Sequence, residues 1–360
     1  MESVVYSIGA AIIGLGLLIV FHEFGHFIVA KMCGVGVLTF SVGFGPKIWV
    51  KKKGETEYAL SAFPLGGYVK MVGEDPDADV PQADAEKSFA RKSLGKRIAI
   101  VAAGPGFNLL LAVLLLTIVF VFYGVPVMST QVSGVEGGSP AERAGIVKGD
   151  RIVAVNGRSV SQWEDLSSAI KGSGGGPLNM QIRRGDDIVE VTVKPVIKEG
   201  KNIFGEPKED WMIGIASQVS IEKGQAGLAI VRAFYQTYDY SKLTVMALYK
   251  MVVGDVSPRN IGGPILIAQM AGQQAQEGIG TFLAFLAVLS INLGILNLLP
   301  VPVLDGGHLV FFMVEGIIRK PVSVRAREMA QQVGICLLVL LMVYAFYNDI
   351  LRFFENQVGG

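Results

Sequence analysis

Apolar residues run almost unbroken from Val4 to Val29, from Ile98 to Phe122 and from Thr281 to Leu299, and a fourth run centres on Val333 to Tyr347. A helix needs about 20 predominantly apolar residues to cross a bilayer. The first three runs meet that length, and the fourth does so with its N-terminal flank through Met329 and Ala330. The pattern predicts four transmembrane helices. The first differs from a signal peptide: it has Glu2 instead of a basic start, it is too long, and it lacks a small-residue cleavage site, so it is expected to be retained. From Gly124 to Gly280 the chain is more polar, with short alternating runs broken by glycine.

Composition agrees with a membrane protein. The 360 residues are 51% hydrophobic and 18% charged, with mean hydropathy +0.47. A net charge of +1 gives no reason to expect a nucleic-acid partner, and two cysteines, Cys33 and Cys336, imply no disulfide framework. Lys and Arg concentrate between the first two spans (Lys31, Lys47, Lys51 to Lys53, Lys70, Arg91, Lys92, Lys96, Arg97) and between the last two (Arg319, Lys320, Arg325, Arg327). Basic loops stay in the cytoplasm. The expected topology is therefore a multi-pass protein of the bacterial cytoplasmic membrane, in contact with its lipid. Both termini and the long central segment would lie outside.

Against this background "LLIVFHEFGHFIVAK" (Leu17 to Lys31) stands out. An ionisable group in hydrocarbon costs roughly 2.5 kcal/mol or more, yet His22, Glu23 and His26 lie within the first span. Residues four apart share a helix face, so His22 and His26 aim at one point. With zinc there, Glu23 is placed to take a proton from the attacking water, as in other H-E-x-x-H sites. A catalytic zinc keeps three protein ligands. Asp305, in "NLGILNLLPVPVLDGGH" at the inner end of the third span, is a candidate third ligand; His308 is a rival, and a turn role for Asp305 before two glycines is open as well. Pro300 and Pro302 stop a regular helix there. Irregular backbone at membrane depth is tolerated where it lines a cavity or is buried in protein. Asn292 and Asn297 are polar positions in the same run, and Asn297 can donate hydrogen bonds to a substrate carbonyl.

Two further regions have a readable pattern. Between the first two spans, strand-like runs around Ile48 to Val50 and Tyr58 to Leu60 flank a turn at Lys53-Gly54-Glu55, which predicts a β-hairpin over about 38–72. Its edge can hold an extended substrate by strand addition; a basic loop on anionic lipid is the alternative. The acidic stretch from Gly73 to Lys87 reads as a solvated linker. In the central segment, "SPAERAG" carries a capping box (Ser139, Glu142) and a stop at Gly145. "GDRIVAVNG" is a strand ending in an Asn-Gly turn, "SQWEDLSSAIKG" a helix capped by Ser161 and Glu164, and "LNMQIRRGDDIVEVTVKP" a hairpin turning at Gly185-Asp186. Gly224 to Gly254 has apolar residues at helical spacing and four tyrosines, so one or two helices are expected at the outer membrane interface or against the central domain. Gly104, Pro105, Gly106 and Asn108 mark the second span as kinked and packed through small residues.

Together, "HEFGH" in a first span and "NLLPVPVLDGG" in a later one resemble the site-2 protease family of intramembrane zinc metalloproteases. "FSVGFGPKIW", "FPLGGYVKMVGE", "AGPGFN" and "IGGPILIA" resemble segments of its RseP-type bacterial branch, and "SPAERAG…GDRIVAVNG", with "WMIGI" (Trp211 to Ile215) after it, resembles a bacterial PDZ domain. The resemblance implies that zinc is bound by His22, His26 and Asp305, with Glu23 as general base. It implies that Gly43, Gly45, Gly66 and Gly67 of a membrane-reentrant hairpin, with Asn297 and Pro300, meet the substrate. The fold it implies is a polytopic α-helical membrane protein with four transmembrane helices, a cytoplasmic-side membrane-associated β-hairpin and an inserted extracytoplasmic PDZ domain of α+β type. Residues 1–124 carry the first two spans and the hairpin, 127–216 the PDZ domain, 217–275 interfacial helices, and 276–360 the last two spans. The implied partners are single-pass membrane proteins such as anti-sigma factors, signal-peptide remnants, and a peptide or C-terminus at the PDZ domain. The best-known members of this branch carry two PDZ domains, whereas this chain has room for one. Two rival readings stand beside the protease. A non-catalytic zinc scaffold would have no need of Glu23. A transporter would be supported by an inverted repeat, which the chain does not show.

Overall fold

The computed structural model describes residues 2–74, 81–202, 204–222, 226–260 and 262–358. The chain divides into two compact units, Met1–Val119 with Ala226–Gly360, and Phe120–Gln225. In chain order the first unit begins with α1 (Glu2–Met32), β1 (Val37–Lys53), β2 (Thr56–Met71) and α2 (Leu94–Phe122). The second unit then holds β3 (Val125–Val135), α3 (Pro140–Arg143), β4 (Arg151–Val155), β5 (Arg158–Ser159), α4 (Trp163–Gly172), β6 (Leu178–Arg184), β7 (Asp187–Val193), β8 (Val196–Lys201), β9 (Pro207–Met212) and β10 (Ile215–Glu222). The first unit resumes with α5 (Ala226–Val253), α6 (Pro264–Glu277), α7 (Ile279–Asn297), α8 (Asp305–Ile318) and α9 (Val324–Val358).

Four helices among the described residues are long and apolar enough to cross a membrane: Val5–Met32, Leu94–Phe122, Ile279–Asn297 and Val324–Arg352. Only 22% of the most apolar stretch of α1 and 11% of that of α9 is buried within the protein. Apolar surface on that scale must be covered by something other than water, and the chain is an integral membrane protein. Helix α8 was not expected. Pro300 and Pro302 end α7 by lacking an N–H, and a new 14-residue helix starts at Asp305. Asp305 is therefore the first residue of α8, not the inner end of α7. Helix α8 is apolar but too short to span.

The β-region between α1 and α2 is more folded than a simple hairpin. Lys53 pairs with Thr56 across Gly54-Glu55, as the turn predicts, and both strands then bend. Residues 57–60 pair with 49–52 on one side and with 39–42 on the other, and 67–71 pair with 37–42. The segments lie in the order 47–53, 56–63, 37–44, 67–71. One bend is at Gly43, with φ +92°, where a Cβ would lie 2.8 Å from Phe63 O. This sheet packs on α1 and α2 through Ala30, Val35, Val37, Val69, Met71 and Ile100. The acidic linker is partly structured: Gln82–Lys87 and Phe89–Arg91 are 3₁₀ turns, and Phe89 N–H donates to Val72 O at 2.7 Å. Asp75 to Val80 lie outside the described residues.

A single helix, α5, fills most of Gly224 to Gly254, and Thr244 Oγ1 donates to Asn292 Oδ1 at 2.8 Å. Asn292 is thus a helix-packing residue. Helix α6 is capped from α9: the buried Asp349 carboxylate accepts from Gly263, Ile265 and Leu266 N–H at 2.9, 2.9 and 3.1 Å. That bond set gives the "GGP" segment its function, since a Cβ on Gly263 would lie 2.5 Å from Asp349 Oδ2. Ile261 lies outside the described residues.

The second unit has a sheet in the order β10-β3-β4-β6-β7, with β5 beside β4 and a separate β8-β9 hairpin. Its core is Val132, Ile146, Ile152, Leu166, Met180, Ile182 and Ile213. The Asn156-Gly157 turn has φ 51° and 77°, the left-handed pair that a two-residue hairpin loop requires. Ser139 caps α3 by accepting from Glu142 N–H, while the Glu142 carboxylate reaches Gly138 N–H instead of Ser139. The cap of α4 is shifted by one from the expected Ser161 and Glu164, to Gln162 and Asp165. Gln162 extends the strand-like entry by one residue through a bridge to Ser129, so the helix begins later.

Inside this unit Asp150 is buried and accepts from Arg184 Nε and Nη2 at 2.8 Å and from Val147 N–H at 2.9 Å. The Arg184 guanidinium holds its carboxyl below the usual range. A depressed carboxyl stabilises the fold above the unfolded value, about 3.9, and the contribution is lost as pH falls through the lower folded value. We expect Asp150→Asn to lower protection of the β4 and β6 amides by about 1–3 kcal/mol at pH 7. Wild type and variant should converge once the pH is below the folded value. Hydrogen exchange of the full chain in detergent, corrected for intrinsic rates, measures this.

Candidate metal centre

The last turns of α1 carry His22, Glu23 and His26, and both histidines are buried. His22 Nε2 lies 3.2 Å from His26 Nε2, and Asp305 Oδ2 lies 3.1 Å from the first and 3.5 Å from the second. Three acceptor-capable atoms thus form a nearly equilateral triangle, and these residues are the metal-ligand group found among the described residues. Asp305 Oδ2 is buried without a hydrogen-bond donor. An orphaned carboxylate oxygen aimed at two imidazole nitrogens calls for a cation. Ligands about 2.0–2.1 Å from a tetrahedral zinc stand roughly 3.3 Å apart, close to all three observed separations. His308 lies one turn further along α8 and is outside the triangle.

Helix α2 sets the histidine orientations. His26 Nδ1 is 2.9 Å from Ile100 O, a bond in which Nδ1–H donates and Nε2 keeps its lone pair. Such an approach requires a bare backbone. A Cβ on Gly104 would lie 2.3 Å from His26 Nε2 and 2.8 Å from His22 Cε1, and one on Gly25 would lie 2.4 Å from Ala103 O. Asp305 is placed by the loop 298–304. There a Cβ on Gly306 would lie 2.2 Å from Leu299 O, and one on Gly307 2.3 Å from Val301 O. Helix α8 is also held to α2 by a bidentate pair, Arg97 Nη1 to Glu315 Oε2 at 3.0 Å and Nη2 to Oε1 at 2.5 Å, with the guanidinium 5.0 Å from the Phe312 ring centroid.

Glu23 faces the sheet. A Cβ on Gly67 would lie 3.0 Å from Glu23 Cγ and 2.9 Å from Ser41 O, so the edge segment 67–71 runs beside the carboxylate. Of the four glycines expected to meet substrate, Gly67 borders the centre. Gly43 and Gly45 shape the bend, and Gly66 abuts the Phe44 ring. Asn297 is half-buried and has no side-chain hydrogen-bond partner among the described residues, and Pro300 is exposed. Sequence reasoning missed Gly104, Gly25, Arg97 and Glu315. Gly104 sat inside a quoted motif, but its use depends on which helix lies opposite.

A profile described as "Peptidase family M50" matches residues 10–341. The chain belongs to peptidase family M50. M50 peptidases include a provisionally named zinc metalloprotease of Rhizobium meliloti, 36% identical over 97% of this chain and 98% of that protein. Also similar are the Protease RseP of Yersinia pestis, at 32% over 98% and 100%, and the Regulator of sigma-E protease RseP of Salmonella typhimurium, at 32% over 98% and 100%. The last two alignments are 455 and 456 positions long against 360 residues here, so those relatives carry insertions of domain size. This M50 chain is a metalloprotease with zinc as its cofactor, and its donor set of two imidazoles and a carboxylate suits that ion.

Gly104→Ala should push the His26 ring off the triangle while leaving the apolar packing of α2 intact. The expected result is a loss of about tenfold or more in zinc affinity, with unchanged helix content. Metal analysis after dialysis against graded chelator, together with circular dichroism, checks it.

Proposed function

We propose that His22, His26 and Asp305 hold the zinc ion, that Glu23 is the general base, and that the enzyme hydrolyses peptide bonds within transmembrane segments of single-pass proteins. The observation that carries this reading is the triangle of His22, His26 and Asp305 donor atoms, its two histidines on a helix long and apolar enough to cross a membrane, with a carboxylate and a strand edge beside it. His22, His26 and Asp305 would hold the ion, which would supply Lewis acidity toward a scissile carbonyl and the attacking water. The Glu23 carboxylate takes the proton from the attacking water and passes it to the leaving amide nitrogen. A helical substrate hides its peptide bonds in its own hydrogen bonds, so it must be drawn out as a strand before attack. The edge 67–71, one residue layer from Glu23, offers backbone groups for that strand, and Asn297 offers a donor for a substrate carbonyl.

The fold of Phe120–Gln225 supports reading 127–216 as a PDZ domain, with β10 as the edge strand open to peptide addition. Its ligand would be an extended chain end, or the domain would exclude bulky substrates by size. The basic loops favour a cytoplasmic-membrane protein with both termini and this domain outside and the catalytic centre toward the cytoplasm. The resemblance to the RseP-type branch favours substrates already trimmed outside, such as anti-sigma factors, whose cleavage releases a cytoplasmic signal.

Purified enzyme in detergent should cut a tagged, externally truncated single-pass substrate within its membrane segment. Glu23→Gln should reduce the rate by at least about a hundredfold while still binding zinc. Equal cutting by the variant would overturn the role given to Glu23. Mass spectrometry of the products locates the bond.

A further inference from the structure

Asn108 lies in the middle of α2, inside an apolar run, and is fully buried. Its side-chain amide faces His22: Nδ2 and His22 Nδ1 are 3.1 Å apart. The other end of the amide, Oδ1, is buried with no hydrogen-bond partner. A buried amide oxygen without a donor is costly, and the two ends of a carboxamide exchange places on a half-turn about the last side-chain bond. After that turn Oδ1 meets Nδ1 and accepts from it when His22 carries its proton there, while Nδ2 takes the position now held by Oδ1. That is the tautomer a metal site needs, because it leaves Nε2, 3.1 Å from Asp305 Oδ2, with a free lone pair. His26 is already held in the same tautomer by Ile100 O.

We infer that Asn108 is a positioning residue for the zinc centre, its amide oxygen accepting from His22 Nδ1–H. The inference rests on the reading of His22 as a zinc ligand. Asn108 is itself held in place: Ser290 Oγ donates to Asn108 O at 2.7 Å, and a Cβ on Gly294 would lie 3.3 Å from Asn108 Cβ, so α7 is packed directly behind it. One carbonyl and one carboxamide, eight residues apart on α2, thus orient the two histidines of α1. Partners of this kind that fix the tautomer of a metal-bound histidine are commonly worth 10–100-fold in metal affinity.

The test is zinc affinity of the full-length protein in detergent, by competition with a chromophoric chelator, for wild type, Asn108→Leu, Asn108→Asp and His22→Ala. Cobalt-substituted protein gives a second readout from its d–d absorption. Asn108→Leu keeps the branched shape of the side chain but removes the acceptor. It should weaken zinc about 10–100-fold and alter the cobalt spectrum. Asn108→Asp restores an acceptor and should bring both readouts back toward wild type. The inference is overturned if Asn108→Leu binds zinc as wild type does. It is also overturned if Asp fails to rescue while both variants keep wild-type helix content. His22→Ala separates the two levels: undiminished zinc binding in that variant removes the ligand reading itself. Loss of zinc there with a silent Asn108→Leu removes only the role of Asn108.

Discussion

The whole centre depends on how closely α2 can approach the last turns of α1. Two helices usually stand 8–10 Å apart, a distance set by the side chains between them. Here Gly25 on α1 meets the Ala103 carbonyl of α2 and Gly104 on α2 leaves room for the two imidazoles, and a Cβ at either position would lie 2.4 Å or less from its neighbour. That contact lets a main-chain carbonyl, Ile100 O, serve as a histidine partner. In hydrocarbon the hydrophobic effect does not press helices together, so small residues and interhelical hydrogen bonds must do it. The same residues that make α2 pack are therefore those that aim the imidazoles.

The Asp305 carboxylate is held on different terms. Asp305 begins a short helix that could slide or tilt, since α8 is too short to be anchored by spanning the bilayer. Two devices restrain it. At its start, Gly306 and Gly307 admit the carbonyls of the preceding loop to van der Waals distance or closer than a side chain would allow. Further along, the Arg97–Glu315 pair ties it back to α2. Breaking such a pair on one side would leave a poorly solvated charge, at a cost of about 3–5 kcal/mol. Helix α2 thus acts as the common reference for His22, His26 and Asp305.

The β-region brings Glu23 into contact with a strand edge. Its two long strands fold back at glycines, which places 67–71 at the margin of the sheet and against α1. A helix inside a bilayer retains its internal hydrogen bonds because no water competes for them. Cutting it requires a surface that replaces those bonds, and a strand edge is the simplest such surface. In the proposed reaction this arrangement would join the unwinding of substrate to the position of Glu23.

Hydropathy alone determined the four spans, and the period of the α-helix alone put His22 and His26 on one face. The turns at Gly54-Glu55, Asn156-Gly157 and Gly185-Asp186 were legible for the same reason: each depends on a backbone conformation that few residues adopt, so local sequence specifies it. The strands and short helices of the second unit were legible from their punctuation of caps and turns. Three features were not legible. Spacing left Asp305, His308 and a turn role open, and only the loop 298–304 with α8 brings Asp305 Oδ2 within 3.1 Å of His22. Helix α8 itself was hidden because prolines, glycines and basic residues bracket a short apolar run. The partners of Gly104, Asn108, Arg97 and Glu315 lie on helices up to 218 positions away. Local pattern carries the conformation of a residue; the identity of what stands opposite it is set by packing, and only the tertiary structure decides that.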